Sequence, residues 1–145
     1  MLNEDNSKKL RELMRILERK LGVLGKNEGS SGKLTLAQCH AVVEIGRAER
    51  ISLNELSEVL NLDNSTMSRT INNLVNADIV IRETDVKDRR YVVIKLTDSG
   101  CRIFKEIEQN MKKYFEKVYE LIPKEKVNQV IESLEILNDA IREKF

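Results

Sequence analysis

Tryptophan is absent, proline occurs once (Pro123), histidine once (His40) and cysteine twice (Cys39 and Cys101). Each shortage excludes something. Two cysteines 62 positions apart cannot build the disulfide framework of a small secreted domain, so a reducing, cytoplasmic setting is expected. One histidine leaves a metal site short of donors, and neither a metal nor another cofactor is expected. Long apolar runs are also missing. Tyr91-Val92-Val93-Ile94 is among the longest, far below the roughly 18 residues of a membrane span, so no membrane partner is expected. Met1-Leu2-Asn3-Glu4-Asp5 lacks the basic start of a signal peptide. Neither sign of charge dominates: 25 Lys and Arg face 24 Asp and Glu, a net +1. Taken whole, that balance argues against an overtly basic nucleic-acid binder.

What is present is helical. The 145 residues are 41% apolar and 34% charged, enough chain for one domain with a real core. Leu10, Leu13, Met14, Leu17, Leu21 and Leu24 recur at spacings of three and four, one apolar stripe on a helix of about six turns. Gly22, Gly25, Gly29, Ser30, Ser31 and Gly32 then signal a loop. Its Gly32-Lys33 is not a phosphate-binding loop, because Asn27 and Leu34 stand where Gly and Ser or Thr are needed. A second helix starts at Thr35 as N-cap, with Leu36, Val42, Val43 and Ile45 inward. Ser52-Leu53-Asn54-Glu55 reads as a capping box opening a short helix with Leu53, Leu56, Val59 and Leu60 inward. Asn61-Leu62-Asp63-Asn64 breaks it, and a helix with Met67, Ile71, Leu74 and Val75 inward follows, giving a helix-turn-helix.

The pattern then changes to β-branched runs, Ile79–Arg82 and Tyr91–Leu96, around a charged tip from Glu83 to Arg90, the mark of a β-hairpin. After Thr97-Asp98-Ser99-Gly100 a helical stripe resumes through Phe104, Ile107, Met111, Tyr114, Phe115, Val118 and Ile122. Pro123 suits the first turn of a last helix, striped by Val127, Val130, Ile131, Leu134, Leu137 and Ile141.

Charge is distributed unevenly under the +1. From Asn64 to Ala77 there is no acid, and Arg69 is the only charged residue. Projected at 100° per residue, the face opposite the apolar stripe carries Ser65, Arg69, Asn72, Asn73 and Asn76, flanked by Thr66 and Ser68. An ordinary solvated face in this chain is Lys and Glu. A short, polar, acid-free face suits base edges in a major groove, where Arg pairs with guanine and Asn with adenine. At the hairpin tip Lys87, Arg89 and Arg90 alternate with Asp85 and Asp88, so that an Asp can hold an Arg in one orientation. A basic finger beside such a helix can enter a minor groove.

This succession of helix-turn-helix, two strands around Asp85-Val86-Lys87-Asp88-Arg89-Arg90, and Leu96-Thr97-Asp98-Ser99-Gly100 resembles the MarR family of bacterial winged-helix regulators over nearly the whole length. Leu34-Thr35-Leu36-Ala37-Gln38 and Ser65-Thr66-Met67-Ser68-Arg69 match it as well. The resemblance implies a mainly α fold with a small β-hairpin wing: one domain over 1–145, with a DNA-binding lobe at 34–103 and dimerisation helices at 1–33 and 104–145. It implies a homodimer that binds a double-stranded, inverted-repeat DNA operator as a transcriptional regulator, acting as a repressor released by a small-molecule effector. Ser65, Thr66, Ser68, Arg69, Asn72 and Asn73 are then the major-groove residues. Lys87, Asp88, Arg89 and Arg90 form the DNA-binding wing, with Arg90 entering the minor groove and Asp88 orienting it. Lys87 stands where many members carry Arg, so a phosphate contact is expected of it. The effector crevice would lie near His40, Phe104 and Ile107. The oxidation-sensing branch carries its reactive cysteine near the beginning of the first helix, and this chain has none before Cys39.

The residue pattern also points to a dimer: the striped outer helices make about half the chain, and a compact winged helix cannot cover both stripes. Neighbouring residues on a helix point about 100° apart, so Cys39 and His40 reach one metal site only awkwardly; a buried thiol and a partly satisfied His are expected. No catalytic constellation is present, and the chain is not expected to be an enzyme. The alternatives are a helical protein–protein adaptor without DNA binding, and a regulator that senses redox state through Cys39 or Cys101.

Overall fold

The computed structural model describes residues 3–24 and 34–144. Along them run α1 (Glu4–Leu24), α2 (Leu36–Ala48), β1 (Ile51–Ser52), α3 (Leu53–Leu60), α4 (Asn64–Asn76), β2 (Val80–Thr84), β3 (Val92–Leu96), α5 (Asp98–Leu121), a 3-10 turn (Lys124–Lys126) and α6 (Val127–Lys144). The architecture is the expected one, mainly α with a small β-sheet wing. Most of the expected glycine–serine loop, Gly32-Lys33 included, lies outside the described residues. Gly22, expected to open that loop, is instead helical and within α1.

Side-chain caps fix where the lobe's helices begin. Thr35 Oγ1 accepts from the Gln38 amide at 3.2 Å, and Gln38 Oε1 accepts from the Thr35 amide at 2.9 Å, a full capping box. Ser52 Oγ likewise accepts from the Glu55 amide at 3.1 Å, but the Glu55 carboxylate takes the Ser52 hydroxyl rather than its amide. The expected reciprocal box is therefore half formed, because the Ser52 backbone stands in a strand opposite Val93. Asp63, read from sequence only as part of a break, caps α4. Asn61 ends α3 in the left-handed conformation, φ 53°, which its short polar side chain tolerates.

The core of the lobe joins α2, α3, α4 and the sheet. Val42, Ile45, Leu56, Met67, Ile71, Leu74, Val80 and Ile94 are its largest fully buried side chains. Each such burial contributes about 1.5–3 kcal/mol. Two expected core residues face out: Leu36 is 50% and Val59 56% exposed. The buried arc of α3 centres between Leu56 and Ser57, so Val59 falls off its edge, and Leu36 precedes the first buried turn of α2.

The sheet has three antiparallel strands in the order β1-β3-β2, not the two of a simple hairpin. Ile51 pairs with Ile94, while Val80 to Thr84 pair with Leu96 to Val92. β1 is two residues long, too short to show alternation in the sequence. Thr97 ties the hairpin to α5. Its hydroxyl accepts from the Gly100 amide at 2.9 Å and donates to the Asp78 carbonyl at 2.7 Å. Gly100 is needed there, since a Cβ would lie 2.1 Å from the Ile79 carbonyl oxygen.

The chain divides into two compact units, residues 1–109 and 110–145. In the first, α1 carries its apolar stripe largely exposed, with Leu13 at 55%. In the second are the end of α5, the 3-10 turn and α6. Pro123 precedes the 3-10 turn, its carbonyl accepting from the Lys126 amide at 2.8 Å, so it stands before a connecting turn and not in the first turn of α6. Val127 is buried, while Val130, Ile131, Leu134 and Ile141 are exposed. Tyr114 and Phe115 meet edge to face, centroids 5.3 Å apart. Among the described residues, no helix is long and apolar enough to cross a membrane.

Candidate nucleic-acid interface

The apolar side of α4 sinks Met67, Thr70, Ile71 and Leu74 into the lobe, and this fixes what the other side presents. Ser65, Arg69, Asn72, Asn73 and Asn76 are exposed, with Thr66 and Ser68 half-buried at the edges. All six candidate major-groove residues therefore lie on or beside one open face. Leu53, Asn64, Ser65, Ser68 and Arg69 line a shallow depression there. Asn64 Nδ2 donates to Asn54 Oδ1 at 3.1 Å, tying the start of α4 to α3.

The N-terminus of α4 is held by Asp63. One carboxylate oxygen accepts from the Thr66 amide at 2.7 Å and the other from the Thr66 hydroxyl at 2.8 Å. These bonds hold the Asp63 carboxyl below the usual carboxylate range, the amide contributing most. The Thr66 hydroxyl proton is thereby committed to Asp63, leaving its oxygen only as an acceptor toward a ligand.

The wing tip is built in the same economical way. Asp85 turns the chain, its carboxylate accepting from the Lys87 amide at 2.9 Å. Asp88 grips Arg90 through three bonds: from the backbone amide at 3.1 Å, from Nε at 3.0 Å and from Nη2 at 2.8 Å. The forked contact lowers the Asp88 pKa and raises that of Arg90. Arg90 nonetheless stays 84% exposed, so its guanidinium is oriented while remaining open to a ligand. The Lys87 and Arg89 side chains are exposed, and Asp88 is half-buried.

Two contributors to this surface escaped the sequence reading. Asp63 had a signal, an Asp three residues before Thr66 at a helix start. The other is Arg82, whose Nη2 donates to Asn72 Oδ1, joining β2 to the exposed face of α4. Strand alternation was the available clue, because Arg82 shares a face with the buried Val80.

The remaining candidates lie on α2 and α5. His40 is exposed on α2, Phe104 half-buried and Ile107 buried on α5. Phe104 lies over Gly46, where a Cβ would come within 2.3 Å of the ring. His40 sits about 120° around α2 from Gly46. Cys39 is buried, as expected of a small core thiol, and Cys101 is exposed in the first turn of α5.

Residues 34–92 match the family model described as MarR family. No curated relative matches the chain in sequence. Solved structures do match in fold. FabT of Streptococcus pneumoniae in complex with DNA superposes with a TM-score of 0.87 at 19% identity, over 96% of this chain and 99% of that one. A MarR protein from Peptoclostridium difficile gives 0.83 at 24%, over 99% and 94%. A mutant MarR from E. coli complexed with operator DNA gives 0.78 at 24%, over 94% and 99%.

Proposed function

We propose that this chain, which carries a MarR-family winged helix over residues 34–92, is a sequence-specific DNA-binding transcriptional regulator acting as a homodimer on an inverted-repeat operator. The observation that carries the proposal is the pairing of two surfaces. One is an exposed helix face with no acid from Asn64 to Ala77, and the other is a wing whose Arg90 is clamped by Asp88 and still open. The first fits base edges in a major groove, the second a minor groove alongside it. Ser65, Ser68, Arg69, Asn72 and Asn73 read bases, with Thr66 as an acceptor. Lys87 and Arg89 contact phosphates and thereby set position more than sequence.

A second copy is the natural cover for the apolar stripes of α1 and α6, which are exposed in the single chain. Two-fold symmetry then sets two recognition helices about one DNA turn apart. We assign the protein as a repressor, with a small molecule releasing it by favouring a helix spacing that does not fit the operator. His40, Phe104 and Ile107 are the candidate neighbours of that molecule.

The test is duplex binding by the intact chain at two salt concentrations, after selection of bound sequences from genomic fragments. Binding should fall with salt, and Arg69→Ala and Arg90→Ala should each weaken it. Affinity indifferent to salt and to both substitutions would favour the adaptor. Release of the operator on thiol blocking would instead move the sensing role to Cys39 or Cys101.

A further inference from the structure

Asn72 is the one candidate base-reading side chain whose acceptor is already engaged from another element. Arg82 reaches it because of its register. It pairs with Ile94 across the ladder, and directly paired residues share a sheet face. Ile94 and Val80 fill the core on that face, and Arg82 follows where the core gives way to the exposed side of α4. β2 is an edge strand, where an inward-facing cation is tolerated because it emerges into solvent.

The bond changes what Asn72 offers. An asparagine reads adenine by accepting from N6 and donating to N7 at the same time. With the Arg82 guanidinium set against Oδ1, one lone pair is taken, and the positive charge beside the other disfavours a second donor such as the adenine amine. What remains outward is the Asn72 amide group together with the spare Arg82 N–H groups, all donors. We infer that Arg82 is a specificity-determining residue: it converts Asn72 from an adenine reader into half of a donor-only pair that selects guanine, whose major-groove edge presents only the acceptors O6 and N7. This rests on the DNA-binding reading above and adds the identity of one base and the residue that decides it. Asn73, with no such partner drawn onto its side chain from β2, keeps both halves of its amide for adenine.

The test uses the full chain on its selected operator. Loss of discrimination in Asn72→Ala locates the base pair read by residue 72. At that pair the unaltered protein should prefer guanine over adenine by about tenfold, the scale of one good base contact. Arg82→Met keeps the length of the stem without its donors, and should erase or reverse that preference while leaving discrimination at the Arg69 position intact. Asn72→Asp retains Arg82 as an ion pair but turns the outward donor into an acceptor, and should move the preference to cytosine or adenine. All of these positions are exposed, and unchanged thermal melting would check that the variants fold. An adenine preference in the unaltered protein, or the same base preference in Arg82→Met, would overturn the inference while leaving DNA binding standing. A uniform loss across all sequences in Arg82→Met would also overturn it, since it would mark a phosphate contact. No duplex binding by the unaltered chain would overturn the DNA reading itself, and this inference with it.

Discussion

The winged-helix lobe and the outer helices use the same aliphatic residues at the same helical spacing, yet they end in opposite states. Ile71 on α4 is fully buried, whereas Ile131 on α6 is 48% exposed. Periodicity therefore tells which face of a helix is apolar, and not what covers it. In the lobe the cover comes from neighbouring elements of the same chain. On α1 and α6 the stripes stay largely exposed in the single chain, and the proposed homodimer would cover them.

Replacing one isoleucine in each region is the sharpest way to break this comparison. Ile71→Ala should cost about 4 kcal/mol of stability through lost burial and a cavity, independently of protein concentration. If the chain dimerises as proposed, Ile131→Ala should cost much less in dilute solution, with a loss that grows with protein concentration. Urea midpoints at several protein concentrations would check this, and equal, concentration-independent losses would dissolve the distinction. Two glycines give the next largest contrast. Gly100→Ala pushes a methyl into the Ile79 carbonyl and should destabilise by about 2–3 kcal/mol. Gly22→Ala meets nothing within 4 Å inside α1 and should stabilise by about 0.5–1 kcal/mol.

Within the lobe, α4 and the wing should separate by base preference. Arg69→Ala should cost about 1–3 kcal/mol of operator binding and relax one base position, while Lys87→Ala weakens all sequences alike. A footprint with unchanged preference in both would remove that division of labour. The smallest expected effect is on pH. The Asp88 pKa is lowered in the folded chain, so its contribution is present above the carboxylate's ordinary range and is lost as the pH falls below it. Between pH 5 and 8 the Asp88–Arg90 clamp should not titrate. The Arg90 Nε resonance should move only at a pH below the ordinary carboxylate range, and a transition within or above that range would refute the clamp.

Much of the fold was legible because its signals are local. The Thr35 cap, the buried Met67–Ile71–Leu74 stripe, the exposed Arg69 and Asn73 and the Asp88–Arg90 pair all depend on residues a few positions apart. What was missed depends on distant partners. β1 exists only because β3 lies beside it, 43 residues further on at Ile94. The spacing from Leu56 points Val59 inward, but the position of α4 decides which arc of α3 is covered. Arg82 looked like a strand residue before a charged tip, and only the packing of β2 beside α4 gives it Asn72 as a partner.

Bulk charge shows the same limit. A net +1 argued against nucleic acid until the sequence itself placed the acid-free segment on one helix face and three cations at one turn. By itself, then, the sequence determined the helices, their caps, the apolar stripes and the polar face of α4, because each arises from hydrogen bonds and periodicities spanning a single turn. The tertiary structure alone decided which stripes are covered and which polar groups remain open. Those outcomes depend on contacts between elements far apart in the chain, as when Arg82 takes the acceptor of Asn72 and leaves its donors facing out.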